Sequence, residues 1–506
     1  MTHSAPIPPP AITPAEARFD LIRGRAGIIL TPIVFIGILL GDFPSLSPEA
    51  HRLAAVMAAV VVLWISEALP MPVTALLGAA MCVLLRVAPA KDVFAPFADP
   101  LIFLFIGAFI LSRAIFLHGL DRRVAFAVLS VPWVGARPSR VLFAFGATTA
   151  GMSALISNTA TTAMMFGIGL SILAVFLDPE RQRSRVDPRY ATGLMLMTAF
   201  AASIGGLATP VGTPPNVIGL GFIREIIGVD ITFFRWMMIG VPVVAVLFTV
   251  LFLYMNALSP SGVRELEGGA EMLRRERASL GAWTRGQRST AIAFGITVAL
   301  WVIPGIIALV LGATHPVYRE LARSLPEGVA ALFGALLLFI LPGDRPGEQA
   351  IRWEDAVRID WGVVLLYGGG FALGVLSFQS GLAESIGRGL AGMLPISGGF
   401  GLLVAAVIIA TILSETTSNT AAANMIVPVV IAIATTSGMD PLEPALGATF
   451  GASMGFMLPV STPCNAIVYG SGYVPLRRMI QYGALLDVAG IAVIITLVSL
   501  LVPFVR

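Results

Sequence analysis

The sequence predicts an all-α polytopic membrane protein that contains an internal inverted repeat and two re-entrant helical hairpins. The first observation is composition: the chain has 506 residues, of which 57% are hydrophobic and only 12% are charged. A soluble protein carries roughly 25% charged residues, so soluble enzymes, disordered proteins and secreted disulfide scaffolds are excluded. The other two observations are long uncharged runs with polar residues at mid-length, and a tetrapeptide that occurs twice. Both are typical of chain breaks inside a membrane.

The apolar segments indicate how many times the chain can cross a membrane, because about 20 residues are needed for each crossing. Residues 1–26 begin with a Pro-rich stretch and are predicted to form a disordered tail. The apolar runs that follow have room for about 11 transmembrane helices plus two hairpins. They cover residues 27–41, 53–69, 71–89, 101–118, 141–177, 190–223, 233–258, 289–313, 328–342, 361–380, 399–437, 442–472 and 480–503.

Two of these runs, 141–177 and 399–437, are too long for one crossing and are each interrupted by Ser, Asn and Thr. Ser157-Asn158-Thr159-Ala160 in the first run recurs as Ser418-Asn419-Thr420-Ala421 in the second. Each copy is followed by a Pro-containing polar loop, TPVGTPPN at 209–216 and STPCN at 461–465. Two ordered matches predict a duplicated unit whose hairpins enter the membrane and turn back.

The distribution of charge predicts that the two units have opposite orientations. Basic residues flank the first hairpin, whereas the flanks of the second contain only Arg388. The bases of the first set are Arg122, Arg123, Arg137, Arg140, Arg181, Arg183, Arg185 and Arg189. Since cytoplasmic loops are enriched in Lys and Arg, the first hairpin, the basic loop 259–285 and the N-terminus are expected on the cytoplasmic side of the plasma (inner) membrane. This pattern is typical of an inverted-repeat transporter, with its site at the midplane where the repeats meet.

The expected site is polar but almost uncharged. The windows 141–177, 190–223 and 444–476 contain no Asp, Glu, Lys or Arg, and the window 389–439 contains only Glu415. Unwound carbonyls, hydroxyls and Asn amides suit a small hard cation such as Na⁺, while the N-termini of broken helices suit an anion. We therefore predict that the site binds a sodium ion and an anion together.

The remaining polar residues support weaker hypotheses. Glu67 is expected to cap a helix at the interface, and Glu415 is expected to stabilise its hairpin by a hydrogen bond rather than to couple protons or cations. Arg113 and Asp487 are expected to pair or to extend toward the interface. The glycines at 368–370 favour close helix packing over phosphate binding. The sequence contains no nucleophile–base constellation and no nucleic-acid motif, so neither an enzyme nor a nucleic-acid partner is expected.

The paired Ser-Asn-Thr motifs, the two Thr-Pro loops and the early SEALPMPVTALLG stretch resemble the divalent anion/sodium symporter family of dicarboxylate, citrate and sulfate transporters. The segments DPLIFLFIGAFILSRA and DWGVVLLYGGGFAL are also similar to that family. The resemblance implies a homodimer in the lipid bilayer. In each subunit, a scaffold of residues 27–125 and 286–375 would hold a moving transport domain of residues 126–258 and 376–506, whose elevator-type slide gives alternating access.

The same resemblance implies residue roles. Coupling sodium ions would be bound by Ser153, Ser157, Asn158 and Gly212 at one site and by Ser414, Thr417, Asn419 and Ser461 at the other. The small dianionic substrate would contact Asn158, Thr159, Thr213, Ser418, Asn419, Thr420 and Thr462. Thr417, Ser414, Ser461 and Cys464 depart from the residues expected at their positions, which bears on the second sodium site.

The expected function is sodium-coupled import of a divalent anion. The chain lacks the large regulatory insertions of some sulfate-transporting members of the family that it resembles. This resemblance therefore favours a C4-dicarboxylate such as succinate, malate or fumarate over sulfate. A sodium-independent dicarboxylate exchanger of the same fold, or a citrate or sulfate symporter, are the alternatives. A channel is disfavoured by the closed, hairpin-plugged site.

Overall fold

The computed structural model describes residues 14–135, 137–177, 186–265, 268–393 and 398–505. The regular structure over these residues is helical, apart from one isolated bridge between Pro342 and Gln349. Eleven of the described helices are long and apolar enough to cross a membrane. The predicted all-α polytopic fold is therefore confirmed. Arg181, Arg183 and Arg185, which entered the charge argument, lie outside the described residues.

In the described part of the first half there are twelve helices, the last of which lies within the basic loop. They are α1 (Pro14–Leu40), α2 (Pro48–Ser66), α3 (Met71–Leu84), α4 (Ala90–Phe94), α5 (Pro100–Leu117), α6 (Leu120–Leu129), α7 (Pro138–Ser153), α8 (Asn158–Phe176), α9 (Pro188–Gly205), α10 (Pro214–Phe222), α11 (Phe233–Leu258) and α12 (Gly269–Ser279). Short 3₁₀ or π turns follow α4, α9 and α10.

The second half repeats the alternation of long and short helices. Its helices are α13 (Arg285–Leu311), α14 (Pro316–Ser324), α15 (Glu327–Leu337), α16 (Trp353–Ala356), α17 (Trp361–Gln379), α18 (Leu382–Met393), α19 (Gly398–Thr416), α20 (Asn419–Thr436), α21 (Leu442–Gly451), α22 (Pro463–Tyr469) and α23 (Leu476–Leu501).

The start of α1 differs from the sequence expectation. Residues 14–26 were expected to belong to a disordered tail, but α1 begins at Pro14 and runs through them. Proline is favourable in the first turn of a helix, and the Ala-Glu-Ala-Arg stretch after it consists of good helix formers. The rest of the predicted tail, residues 1–13, lies outside the described part of the chain.

Each predicted hairpin is a pair of helices joined by a short turn. In the first, α7 and α8 are separated by residues 154–157, and in the second, α19 and α20 are separated by residues 417–418. Each hairpin packs along the helix that follows it, α9 or α21. Each of these helices is followed by an unwound segment before the short helix α10 or α22 begins.

Each repeat packs its short helix against a hairpin of the other repeat. The short helix α10 of the first repeat packs against hairpin arm α20 of the second, and α22 of the second packs against α8 of the first. This crosswise packing brings the turns of both hairpins and both unwound segments to one place. Helix α9 is buried along its whole length within the resulting core.

Close helix packing explains the glycines at 368–370. A Cβ added at Gly369 would lie 2.7 Å from Cβ of Ala75 on α3, and one at Gly368 would lie 2.5 Å from the ring of Phe97. The expectation of a packing role rather than phosphate binding is consistent with these distances. The absence of side chains at these glycines therefore lets helix α17 lie directly against α3.

Candidate functional site: a cavity between the two repeats

The site is a cavity of about 380 Å³ that lies between the hairpin turns and the wall formed by α5 and the start of α17. All residues predicted to contact substrate line it, as do most of those predicted to bind sodium. The predicted residues in its lining are Ser157, Asn158, Thr159, Gly212, Thr213, Ser418, Asn419, Thr420, Ser461 and Thr462. The predicted ligands Ser153, Ser414 and Thr417 do not line the cavity.

In the first repeat, three oxygen-bearing groups surround the side-chain amide of Asn158. Its amide lies 2.6 Å from Oγ of Ser153 and 3.1 Å from the carbonyl oxygens of Gly212 and Ala202. With the amide nitrogen turned toward the carbonyls, it donates a hydrogen bond to each of them. With the oxygen turned in, four oxygens face one point, and this is the donor set that a hard cation requires.

The second repeat has an equivalent serine–asparagine pair at Ser414 and Asn419. The hydroxyl of Ser414 lies 2.8 Å from Oδ1 of Asn419 and donates to the carbonyl of Ala452 at 2.9 Å. The hydroxyl of Thr417 donates to the carbonyl of Leu413 within its own helix at 2.9 Å.

The two unwound segments are held open by a pair of equivalent asparagines that the sequence argument did not single out as site residues. Nδ2 of Asn216 donates to the carbonyls of Gly206 and Thr209 at 2.9 and 2.8 Å. Nδ2 of Asn465 donates to the carbonyls of Gly455 and Leu458 at 3.1 and 2.9 Å. Both lie in the recognised Thr-Pro loops, so their repetition was the available signal. They satisfy carbonyls that a continuous helix would otherwise pair.

Four helices begin at the cavity wall, at Asn158, Pro214, Asn419 and Pro463. Their first backbone N–H groups have no partner within the helix, which places partial positive charge at the cavity. The capping is unequal between the repeats. The hydroxyl of Thr462 accepts a hydrogen bond from the N–H of Asn465 at 3.1 Å, whereas Thr213 makes no such bond.

Glu415 stabilises the second hairpin, as the sequence suggested. Its side chain is 3% exposed, and Oε1 accepts hydrogen bonds from the N–H groups of Phe456 and Met457 at 2.5 and 2.8 Å. Its Oε2 accepts a hydrogen bond from the hydroxyl of Ser461 at 2.6 Å. The carboxylate thus ties the end of α19 to the unwound segment.

Three charged residues of the cavity were not assigned to the site by sequence reasoning: Arg113, Arg358 and Asp360. Of the two arrangements expected for Arg113 and Asp487, the pairing is wrong. Arg113 lies at the cavity, whereas Asp487 on α23 is buried beside Glu415 and neither of its oxygens receives a hydrogen bond. Arg113 lies in the span at 101–118, outside the hairpin windows from which the site was predicted. An ionisable residue inside that span was the available signal.

These features together define a class of protein. Inverted repeats with broken helices, whose ends meet around a small polar cavity, are typical of multi-pass secondary transporters. The chain belongs to the family described as the sodium:sulfate symporter transmembrane region, whose model matches residues 25–505.

Relatives within the family are sodium-dependent dicarboxylate transporters by name. The transporter SdcS of Staphylococcus saprophyticus is 32% identical over 486 residues, covering 94% of this chain and 91% of the relative. SdcS of Staphylococcus aureus strain USA300 is 31% identical over 488 residues, covering 95% and 91%. Among solved structures, the YdaH transporter of Alcanivorax borkumensis is similar in fold, with a TM-score of 0.52 at 12% identity over 96% of this chain and 98% of that one.

Proposed function

We propose that the protein is a sodium-coupled symporter that imports a divalent anion, and that this anion is a C4-dicarboxylate such as succinate, malate or fumarate. The observation that carries the proposal is the shared cavity, in which the Ser-Asn-Thr turns of both hairpins meet both Thr-Pro loops. The names of the relatives support sodium and a dicarboxylate.

The sodium sites would lie behind the cavity, one in each repeat. Asn158 with Ser153 and the carbonyl of Gly212 supplies oxygens in the first repeat, and Asn419 with Ser414 supplies them in the second. A bound cation would attract the anion in the adjacent cavity, because opposite charges interact strongly where water is excluded. This attraction gives a physical basis for coupling.

The substrate site would use hydroxyls, amides and the starts of helices. A cavity of about 380 Å³ is at the small end of the roughly 300–1,000 Å³ range for ligand pockets, which suits a short dianion. Substrate would contact Asn158 and Thr159 on one hairpin, Ser418, Asn419 and Thr420 on the other, and Thr213 and Thr462 on the loops.

The wall of the cavity indicates which side it faces. It includes the end of α5, which is followed by His118 and then by α6. On α6, Arg123 donates hydrogen bonds to the backbone carbonyls of Leu280 and Gly281 in the basic loop. This is the basic side, so the cavity would face the cytoplasm, as would the N-terminus. Alternating access would come from an elevator-type movement of residues 126–258 and 376–506 against residues 27–125 and 286–375 in a homodimer.

Uptake of radiolabelled succinate into proteoliposomes tests the proposal. With an inward sodium gradient we expect accumulation, and with sodium replaced by potassium or choline we expect the initial rate to fall to that of protein-free liposomes. Uptake that persists without sodium but requires internal dicarboxylate would show an exchanger instead. Competition by sulfate, citrate and other C4-dicarboxylates would identify the preferred anion.

The unequal capping of the two loops predicts different effects of equivalent substitutions. Thr213→Val removes a hydroxyl with no capping role, so substrate affinity should fall about tenfold without loss of stability. Thr462→Val also removes a helix cap, which is worth about 1 kcal/mol, so its melting temperature should fall as well. Succinate titration and thermal unfolding of the two purified variants give both quantities. Equal melting temperatures would contradict the predicted difference.

A further inference from the structure

Two arginines of the cavity wall have no protein partner. Arg113, on α5, is half-buried, and its Nε is buried without a hydrogen bond. Arg358 lies in the loop before α17 and is exposed. Within the described ranges, neither guanidinium makes a hydrogen bond or an ion pair with another residue.

Other arginines that lie near the two ends of α5 are paired. Arg224 lies 2.5 Å from the carboxylate of Asp99, and Arg123 donates to the carbonyl of Leu280 at 2.8 Å. The half-buried guanidinium of Arg113 loses hydration and gains no compensating hydrogen bond. Its placement on a cavity therefore points to an anionic ligand.

The charges of the cavity favour an anion at this wall. The opposite wall, formed by the hairpin turns and Thr-Pro loops, carries no formal charge, so Arg113, Arg358 and Asp360 are the charged residues of the described lining. Asp360 accepts a hydrogen bond from the N–H of Val363 at 3.2 Å, at the start of α17. The lining thus has one more positive than negative side chain.

We infer that Arg113 and Arg358 form a carboxylate subsite, which binds one end of a dicarboxylate while the hairpin turns hold the other end. The planar guanidinium matches a carboxylate through two parallel hydrogen bonds. This inference rests on the proposed function, because it assigns the second carboxylate of a substrate whose first carboxylate lies at the hairpins.

The carboxylate subsite would be complete in only one of the two states of the transport cycle. Arg113 and Arg358 lie in the segments assigned to the scaffold, whereas the hairpin turns lie in the segments assigned to the moving domain. Movement of the hairpins to the other side of the membrane would leave both arginines behind. The subsite would then bind substrate in the state that faces the basic side, and it would not contribute in the opposite state.

Binding of two ligands to the purified protein, in saturating sodium, tests the subsite. Succinate carries two carboxylates, and its monoamide carries one. We expect Arg113→Gln and Arg358→Gln each to weaken succinate binding about tenfold or more, while binding of the monoamide changes less than about twofold. Arg113→Lys should restore part of the affinity for succinate, because it keeps the charge but loses the two-pronged geometry.

Controls separate the subsite from a structural role and from the proposed function. Arg345→Gln removes an exposed arginine of the same loop region that lies 3.6 Å from Glu348, and it should bind both ligands normally. The ligand-free melting temperature of Arg113→Gln should not fall, because no protein contact is lost. Equal weakening of both ligands, or unchanged succinate binding in both Gln variants, would overturn the subsite. If the unaltered protein binds no dicarboxylate, the proposed function fails instead.

Discussion

Asn158→Ala and Asn419→Ala should each abolish sodium-driven uptake while leaving a folded protein. Each side chain lies where a proposed sodium site meets the cavity, and each lies within 2.6–2.8 Å of a serine hydroxyl behind it. Removing the amide deletes one cation ligand and one substrate contact at once. Hydrogen bonds to charged groups contribute about 1.5–3 kcal/mol each, so loss of two predicts a fall in transport of more than about 100-fold.

The measurement is the initial rate of succinate uptake into proteoliposomes, together with sodium titrations of the purified variants. Asn256→Ala, at an exposed position of α11, is the matched control and should transport normally. Thermal unfolding and size-exclusion profiles check that the variants are assembled. Near-normal uptake by either site variant would contradict its role as a ligand.

The sequence allowed the fold and the placement of the site to be predicted because both depend on pattern. The polar turns at Asn158 and Asn419 interrupt long uncharged runs, and lipid does not tolerate such breaks unless they are buried or line a cavity. The recurrence of the tetrapeptide then predicted that the two turns meet. The cavity that both turns line is consistent with that prediction.

Contacts across the cavity could not be predicted in the same way. Arg113 and Arg358 are far apart in sequence and follow no repeat, so only the packing of α5 beside the start of α17 brings them together. The hydroxyl of Thr417 could face the site or its own helix, and a local hydrogen bond to Leu413 decides the matter. These contacts depend on side-chain geometry, and the spacing of residues along the sequence does not specify that geometry.

The two repeats are equivalent in backbone but differ in charge at their unwound segments. At the position equivalent to Gly212, the second repeat has Ser461, whose hydroxyl donates to Oε2 of Glu415. The first hairpin window contains no carboxylate. The second unwound segment therefore depends on one buried ionisable residue for several of its hydrogen bonds.

Glu415→Ala should consequently destabilise the protein strongly. The substitution leaves the N–H groups of Phe456 and Met457 and the hydroxyl of Ser461 without this acceptor in a buried place. Each unsatisfied buried donor costs about 1–3 kcal/mol, so we expect a loss of at least about 3 kcal/mol in the free energy of unfolding. Glu415→Gln keeps one oxygen for the backbone donors and should cost less.

Thermal unfolding of the purified variants in detergent gives the order of stability. Glu384→Ala is the control, since Glu384 is exposed on α18 and forms only a surface ion pair with Arg388 at 3.3 Å; exposed pairs contribute about 0–1 kcal/mol. If Glu415→Ala melted at the same temperature as Glu384→Ala yet failed to transport, the carboxylate would act on the transported ions rather than on the hairpin. Loss of stability that Glu415→Gln partly restores would identify the hydrogen bonds to residues 456 and 457 as the cause, because the glutamine oxygen can still accept them.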